Sequence, residues 1–376
     1  MNEEFVNHVV SDNPLLLDHS KVSWWKDRVL AWERGEKIAP ITMDCAWTRR
    51  CQASCSFCYA QAQASEGGVI TRDIAFQFLE DAAEIGVKGV SLISDGESTM
   101  VDYYADSIKH GSALGLKMGV GSNGILFTKD TLEKILPHLS YLRVNFSAGE
   151  KKRYAEIMGL KQSMFDKVKQ NISDAVAIKK RDNLPVSINM NLVCMPKDAD
   201  QLLPFSKLAK ELGVDYGIIK HTATDPDGFL KVDYKEYENL YELFRECEAL
   251  SDDNFRIAVK WSRIQDEGKR AYTKCFGTPF ILQLSGNGLV APCGPLFQEK
   301  YRAFHIGNIT TTRFKDLFNS PRYWEVISYL ASDDFNPQER CAVNCLQHNT
   351  NDWLFKYKAG ERSFQSTSMP VHAEFI

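Results

Sequence analysis

From Ile41 to about Leu250, short apolar runs alternate with amphipathic stretches. The runs Ile41–Cys45, Gly89–Ile93, Lys117–Gly121, Tyr141–Phe146, Val186–Val193 and Tyr216–Ile219 have the length and composition of strands. Between them, apolar residues recur three or four apart: Ile74, Phe78, Ala82 and Ile85; then Phe165, Val168, Ile172 and Val176; then Leu202, Phe205, Leu208 and Leu212. That spacing predicts helices with one buried face. Strands alternating with helices imply parallel pairing through right-handed crossovers. Six such units predict an α/β fold, a partial (β/α)6 TIM-like barrel whose chemistry gathers at the C-terminal strand ends.

After Ser251 the pattern changes. Phe255–Trp261 and Phe280–Leu284 read as strands, Gly286-Asn287-Gly288 as a hairpin turn, and Phe314, Leu317 and Phe318 as one face of a helix. Trp24, Trp25, Val29 and Trp32 predict a helix packed on the barrel. The expected organisation is a helical extension over 1–40, a barrel over 41–250, a small α+β domain over 251–346 and an irregular tail over 347–376 that folds back over the barrel mouth.

Composition narrows the function. A net charge of −4 over 376 residues gives no basic footprint for nucleic acid, and no apolar run reaches the length of a membrane span. Met1 to Asn13 carries acidic residues and no signal-peptide core, which predicts a cytoplasmic protein. Ten cysteines in that setting point to metal or redox chemistry rather than disulfides.

Three of them, Cys51, Cys55 and Cys58, lie in one loop directly after the first strand. Three thiolates can hold three irons of a cubane and leave the fourth open, whereas a structural zinc site wants four ligands. Cys45 is the one nearby candidate for a fourth, but it lies in a strand run. The Cys-x3-Cys-x2-Cys spacing, with Phe57 before the last thiol, resembles the signature of the radical S-adenosylmethionine (SAM) enzymes. The resemblance implies a [4Fe–4S] cluster that chelates SAM and cleaves it reductively to a 5′-deoxyadenosyl radical. It also implies a flavodoxin- or ferredoxin-type electron donor.

A second set, Cys275, Cys293, Cys341 and Cys345, falls after the barrel. With Gly288 five positions before Cys293, it is similar to the SPASM and twitch extensions of that family. Four cysteines match one auxiliary [4Fe–4S] cluster, and by ligand number they match a zinc site equally well. Of the rest, Cys247 and Cys45 read as core thiols, and Cys194 stands after the fifth strand as a possible hydrogen-atom donor.

The resemblance assigns a SAM pocket to the loops after the strands. Ser94-Asp95-Gly96-Glu97-Ser98 stands where the family has Gly-Gly-Glu-Pro, with Gly96 giving the turn and Glu97 accepting from the SAM ammonium. Asp95 and Ser98 depart from that pattern. Ser122-Asn123-Gly124 looks like the family's Thr-Asn-Gly. Ser147 and Asn191 are expected at the ribose or carboxylate, and Phe57 and Tyr59 at the adenine. Gly119-Val120-Gly121-Ser122-Asn123-Gly124 also spells a dinucleotide fingerprint, but Arg143 stands where an acidic ribose ligand belongs. Lys220 and His221, after the sixth strand, are candidate bases, and Arg143 is a candidate anion ligand. The expected reaction is oxidation of a small sugar- or aminocyclitol-like substrate through the auxiliary cluster. Ribosomal-peptide maturation and redox-neutral epimerisation remain alternatives.

Overall fold

The computed structural model describes residues 21–62, 67–223, 228–266, 269–341 and 345–376. The first half of the expected 1–40 extension, including Met1–Asn13, lies outside them. Six parallel strands form as the apolar runs require: β1 (Thr42–Cys45), β2 (Gly89–Leu92), β3 (Lys117–Ser122), β4 (Leu139–Asn145), β5 (Ser187–Cys194) and β6 (Tyr216–His221). The sheet does not stop there. β7 (Arg256–Val259) adds in parallel to β6, and β8 (Ile281–Leu284) adds in parallel to β1 on the opposite side. β9 (Leu289–Ala291) and β10 (Gly307–Asn308) continue it antiparallel beyond β8, giving the order β10-β9-β8-β1-β2-β3-β4-β5-β6-β7. The two strands assigned by sequence to a separate C-terminal part therefore extend the barrel sheet at both of its sides.

Helices cover the outer face. In the helix Arg72–Ile85, Thr71 caps the first turn by accepting from the Ile74 N–H, and Gly86 ends the helix with a left-handed φ of 102°. Its Phe78 and Ala82 are buried, with Ile74 and Ile85 partly so. The long helix Ser163–Arg181 buries Phe165, Val168, Ile172 and Val176 and ends in Lys179-Lys180-Arg181, which favour the negative end of its dipole. Outward strand residues Met43, Cys45, Val90, Leu92, Val120, Leu142, Val144, Ile188, Met190, Leu192, Cys194 and Ile219 join these helices in one core.

Two terminal expectations change. The helix Lys26–Glu33 packs on the C-terminal extension as well as the barrel. Val29 shares a small core with Phe280, Ile281, Trp353 and Leu354, and Trp32 meets Phe276 and Phe280 edge-on. The stretch taken as an irregular tail begins with a helix, His348–Lys358, that buries Trp353 and Leu354 and stacks Trp353 on Tyr357. The last residues cross the bottom of the barrel, not its mouth. Glu374 O accepts from the Thr42 hydroxyl, His372 bonds Ser187, and Phe375 and His372 sit edge-on to Tyr141. Thr42 and Ser187 open their strands at the N-terminal end, so the chain's own terminus plugs the end opposite the cysteine loop.

Candidate functional site: two thiol sets and a polar lumen

Residues alternate sides along a strand, so the neighbours of the outward core set face the lumen. Those are Asp44, Ser91, Gly119, Gly121, Tyr141, Arg143, Asn189, Asn191, Lys220 and Gln283. A barrel interior of this kind is ordinarily filled by branched apolar side chains; this one is lined by hydrogen-bonding groups. Asp44 bonds Gln283 and Ser91 and feels the charges of Arg143 and Lys220. Burial outweighs those partners and lifts its carboxyl to about 6. Ser91 in turn shares a hydrogen bond with the Tyr141 hydroxyl.

The glycines of β3 make the room. A Cβ on Gly119 would lie 2.4 Å from the Tyr141 ring, and one on Gly121 would lie 2.7 Å from Ile93 and 3.3 Å from the Arg143 guanidinium. The Gly-x-Gly pattern is thus spent on lumen space, not on a pyrophosphate. Asn191 donates to Asn145 Oδ1 at 3.1 Å. Among the described residues, Asn189 Oδ1, Asn191 Oδ1, Gln283 Oε1 and Arg143 Nε are buried and find no hydrogen-bond partner, a set of polar groups that a polar ligand would satisfy.

Cys51, Cys55 and Cys58 sit on the loop leaving β1, at the C-terminal end of the sheet. The loop is anchored by Ser54 and Ser56, whose N–H groups donate to Met158 O and Ile157 O. Its sulfurs receive backbone hydrogen bonds, Cys51 from Ala53 and Cys58 from Ala60 and Gln61. Burial, with the charges of Cys58 and Cys51, pushes the Cys55 thiol up to about 12. Asn123 holds its Oδ1 to the Ile125 N–H at 3.0 Å and to Gln52, which turns its amide nitrogen toward Cys51 Sγ, 3.8 Å away.

The loop after β2 is laced to this entrance. Glu97 N–H donates to Arg50 O at 2.8 Å and Ser98 Oγ accepts from Trp47 N–H at 3.1 Å. Gly96 has a φ of 70°, and a Cβ there would lie 2.1 Å from Thr48 O. The Glu97 carboxylate accepts from Ser122 Oγ, Asn123 N, and both the N–H and hydroxyl of Thr99. Its acceptor capacity is mostly spent on holding the β2 and β3 loops together, and Ser122 is committed to the same turn. Ser147 accepts from the Val193 N–H and keeps its own proton to donate.

Asp95, the departure from the family's second-strand motif, has a structural use. Its buried carboxylate accepts from the Ser285 hydroxyl at 2.7 Å and the Gly286 N–H at 2.9 Å, and meets Arg49 Nε at 3.1 Å. It ties the β8–β9 turn to the loop beside the first thiol set. Gly286 is needed there, because a Cβ would lie 2.1 Å from the Thr48 carbonyl carbon.

The second set also assembles. Burial and the charges of Cys345, Cys341 and Cys275 raise the Cys293 thiol, and burial with Cys345 pushes Cys275 up to about 12. Among the described residues no three His, Cys, Asp or Glu side chains close round a point as ligands of one bare ion would; the thiols of each set are neighbours. Tyr59 spans the two sets. It follows Cys58, its hydroxyl lies 2.7 Å from where a Gly294 Cβ would be, and burial with the charges of Cys58 and Cys293 raises its pKa.

Two sequence candidates do not reach the lumen. Cys194 lies on the outward side of β5 in the helix-packed core, its thiol pushed up by burial. His221 also faces outward, edge-on to Tyr234 and Tyr237. Lys220, one residue earlier, faces inward. Phe57 is half-buried, with its carbonyl at the Thr222 hydroxyl. Asp44, Ser91 and Gln283 were not anticipated. Their signal was present as single polar residues inside apolar strands: Asp44 between Met43 and Cys45, Gln283 between Leu282 and Leu284.

Comparison with known proteins agrees with this arrangement. The sequence profile of the radical SAM superfamily matches residues 46–209, and that of an iron–sulfur cluster-binding (SPASM) domain matches residues 275–346. An AdoMet-dependent heme synthase of Methanosarcina barkeri is 24% identical over 78% of this chain and 82% of its own. A tungsten-containing aldehyde ferredoxin oxidoreductase cofactor-modifying protein of Pyrococcus furiosus is 21% identical over 73% of this chain and 80% of its own. Among solved structures, Streptococcus suis SuiB bound to S-adenosylmethionine superposes with a TM-score of 0.62 at 17% identity, over 92% of this chain and 80% of SuiB. Such domains use SAM, a [4Fe–4S] cluster and further iron–sulfur centres. The residues present fit these groups: a trio of thiols with sulfur-directed N–H donors, and a second set of four. The chain belongs to the radical SAM superfamily and carries a C-terminal iron–sulfur cluster-binding domain of the SPASM type.

Proposed function

We propose that this enzyme oxidises a hydroxyl-bearing small molecule of the sugar or aminocyclitol class, bound in the lumen between the two thiol sets. Cys51, Cys55 and Cys58 hold the SAM-binding cluster, and Cys275, Cys293, Cys341 and Cys345 hold one auxiliary cluster. When bound, the first cluster with SAM supplies hydrogen-atom abstraction, and the auxiliary cluster supplies a one-electron acceptor.

The observation that carries this reading is the polar lumen. Asn189 Oδ1, Asn191 Oδ1 and Gln283 Oε1 accept, and Arg143 Nε donates. A substrate with several hydroxyls satisfies such an array, whereas an apolar side chain would leave it unpaired at a cost of about 1–3 kcal/mol per group. Ser147, Asn123 and the remaining acceptor direction of Glu97 face the SAM side, with Phe57 and Tyr59 beside the adenine. Conversion of a carbinol to a ketone releases a hydrogen atom, an electron and a proton. Asp44 takes the hydroxyl proton on its carboxylate, and Arg143 and Lys220 steady the oxygen. The plugged barrel bottom keeps water from the lumen. The reducing electron comes from a flavodoxin- or ferredoxin-type donor in the cytoplasm.

A peptide substrate is the second reading. SuiB, which shares the fold, has been crystallised with the precursor peptide SuiA. Anaerobic turnover of a monosaccharide and aminocyclitol panel, and of candidate peptides, in deuterated water separates the cases. Oxidation removes two hydrogens and creates a carbonyl, whereas epimerisation places one deuteron on carbon with no change in oxidation level. Carbonyl formation in none of the panel, with a modified peptide instead, would overturn the proposal.

A further inference from the structure

Asn351 stands on the helix Lys26–Glu33 packs against, His348–Lys358, and is fully buried. Its Oδ1 accepts from the N–H groups of Phe276 and Gly277, the latter at 2.8 Å. Both donors are backbone, so the orientation of the amide is fixed. The Nδ2 group must then point the other way, and it donates to Cys275 Sγ at 3.4 Å. Cys275 also receives hydrogen bonds from the backbone of Gly277 and Thr278. The buried Arg270 guanidinium lies within electrostatic reach of Cys345 and Cys341.

These groups are all of one electrostatic sense. An N–H aimed at a thiolate sulfur and a cation beside two more thiolates both favour the state with more negative charge. For an iron–sulfur centre that is the reduced state, and hydrogen bonds to sulfur are among the protein's means of raising a cluster's potential. The first thiol set differs. Its sulfurs also receive N–H groups, from the backbone of Ala53, Ala60 and Gln61 and from the Asn123 amide at a longer 3.8 Å, but the carboxylate of Glu97 acts on Cys51 and Cys55 and that of Asp95 on Cys58. Both sets receive N–H donors, but carboxylates act on the first and a guanidinium on the second, so the second is the more electropositive site.

We propose that Asn351 and Arg270 are positioning residues that raise the reduction potential of the C-terminal iron–sulfur centre, making it the electron sink of the pair. The inference rests on the reading of that centre as an electron acceptor. One electron leaves the substrate and reduces the centre; the donor N–H and the guanidinium stabilise the added charge without changing their own bonding.

The test is an EPR-monitored redox titration of the reconstituted holoenzyme. The first cluster is recognised by the change SAM makes in its signal, and the C-terminal centre by its insensitivity to SAM. Asn351→Asp keeps the acceptor that Phe276 and Gly277 need, so the local fold is retained, while the amide donor is lost. Arg270→Gln removes the charge, and Arg270→Lys restores it. At the wild-type midpoint potential, N351D and R270Q should each lower the reduced-to-oxidised ratio of the C-terminal centre by about tenfold, equivalent to about 59 mV for one electron. R270K should recover most of the loss, and the first cluster should titrate as in wild type. Unchanged midpoints in N351D and R270Q, with iron at the site intact, would overturn the inference and leave the proposed function standing. Zinc in place of iron at the second set would overturn both.

Discussion

Asp95 offers a sharp test of how the two halves of the site are joined. Replacing it with glycine restores the residue the family pattern has at this position and removes the tie to the β8–β9 turn. The buried carboxylate makes two hydrogen bonds and one ion pair, to Ser285, Gly286 and Arg49. Breaking a buried charged pair by removing one partner costs about 3–5 kcal/mol, because the other is left uncompensated. Relief of the carboxylate's own desolvation, which raises its pKa here, places the net near the lower end, at about 3 kcal/mol. If the loss is local, opening of the turn becomes about 100-fold more frequent, at about 1.4 kcal/mol per tenfold. Hydrogen exchange followed by mass spectrometry on peptides covering Ser285–Leu289 reads this directly. D95G should exchange there about 100-fold faster than wild type and bind SAM more weakly. D95N, which keeps an acceptor for Gly286 but not the charge, should fall between. Unaltered exchange and SAM affinity in D95G would refute the reasoning.

Other outcomes follow from the lumen and its plug. Asp44 titrates near 6 in the fold against 3.8 when unfolded, so its stabilising proton is fully held below about pH 4 and lost as pH rises through 6. D44N should therefore be more stable than wild type at pH 8 and not at pH 4. That displacement is worth about 3 kcal/mol at most, less for a half-buried group at the lumen wall; urea unfolding at the two pH values checks it. Arg143 and Lys220 face Asp44 with positive charge, and the hydroxyls of Tyr141 and Tyr59 stay protonated throughout. Deleting His372–Ile376 removes two acceptors of Lys21, the Thr42–Glu374 bond and the Ser187–His372 bond, and should cost about 2–5 kcal/mol, read as a lower thermal midpoint. Cys194→Ala should leave reductive SAM cleavage intact and cost about 1 kcal/mol of stability, because the thiol belongs to the helix-packed core.

Much of this fold can be read from the sequence, since each barrel strand is an apolar run bounded by turn residues and each helix keeps one apolar face. The thiol loop is legible for the same reason: its spacing is local. What escaped were facts of parity and distance. Whether Cys194 or Val193, and His221 or Lys220, faces inward depends on which alternate set of a strand turns to the lumen. Asn189 and Asn191 mark that set, because two amides on one parity of a central strand are costly against the helix layer. The same reasoning singles out Asp44 and Gln283. Placement of the terminus was beyond local reading, because its partners Thr42, Gly89 and Tyr141 lie more than 200 positions away and their contacts involve mainly backbone carbonyls and ring edges. The helix at His348 was hidden by its polar composition, although Trp353, Leu354 and Tyr357 keep helical spacing. Glu97 shows a different limit: a motif singles out a carboxylate but not the hydrogen bonds to Thr99, Ser122 and Asn123 that commit it to the neighbouring loop.

The most direct measurement is the formation of 5′-deoxyadenosine by anaerobically reconstituted, dithionite-reduced protein given SAM, with iron and sulfide counted on the same sample. Nucleoside release is expected together with about eight irons per chain, two cubanes' worth, and loss of release in Cys58→Ala while the C-terminal centre persists. Protein that carries only zinc at Cys51, Cys55 and Cys58, and leaves SAM intact, would contradict that expectation.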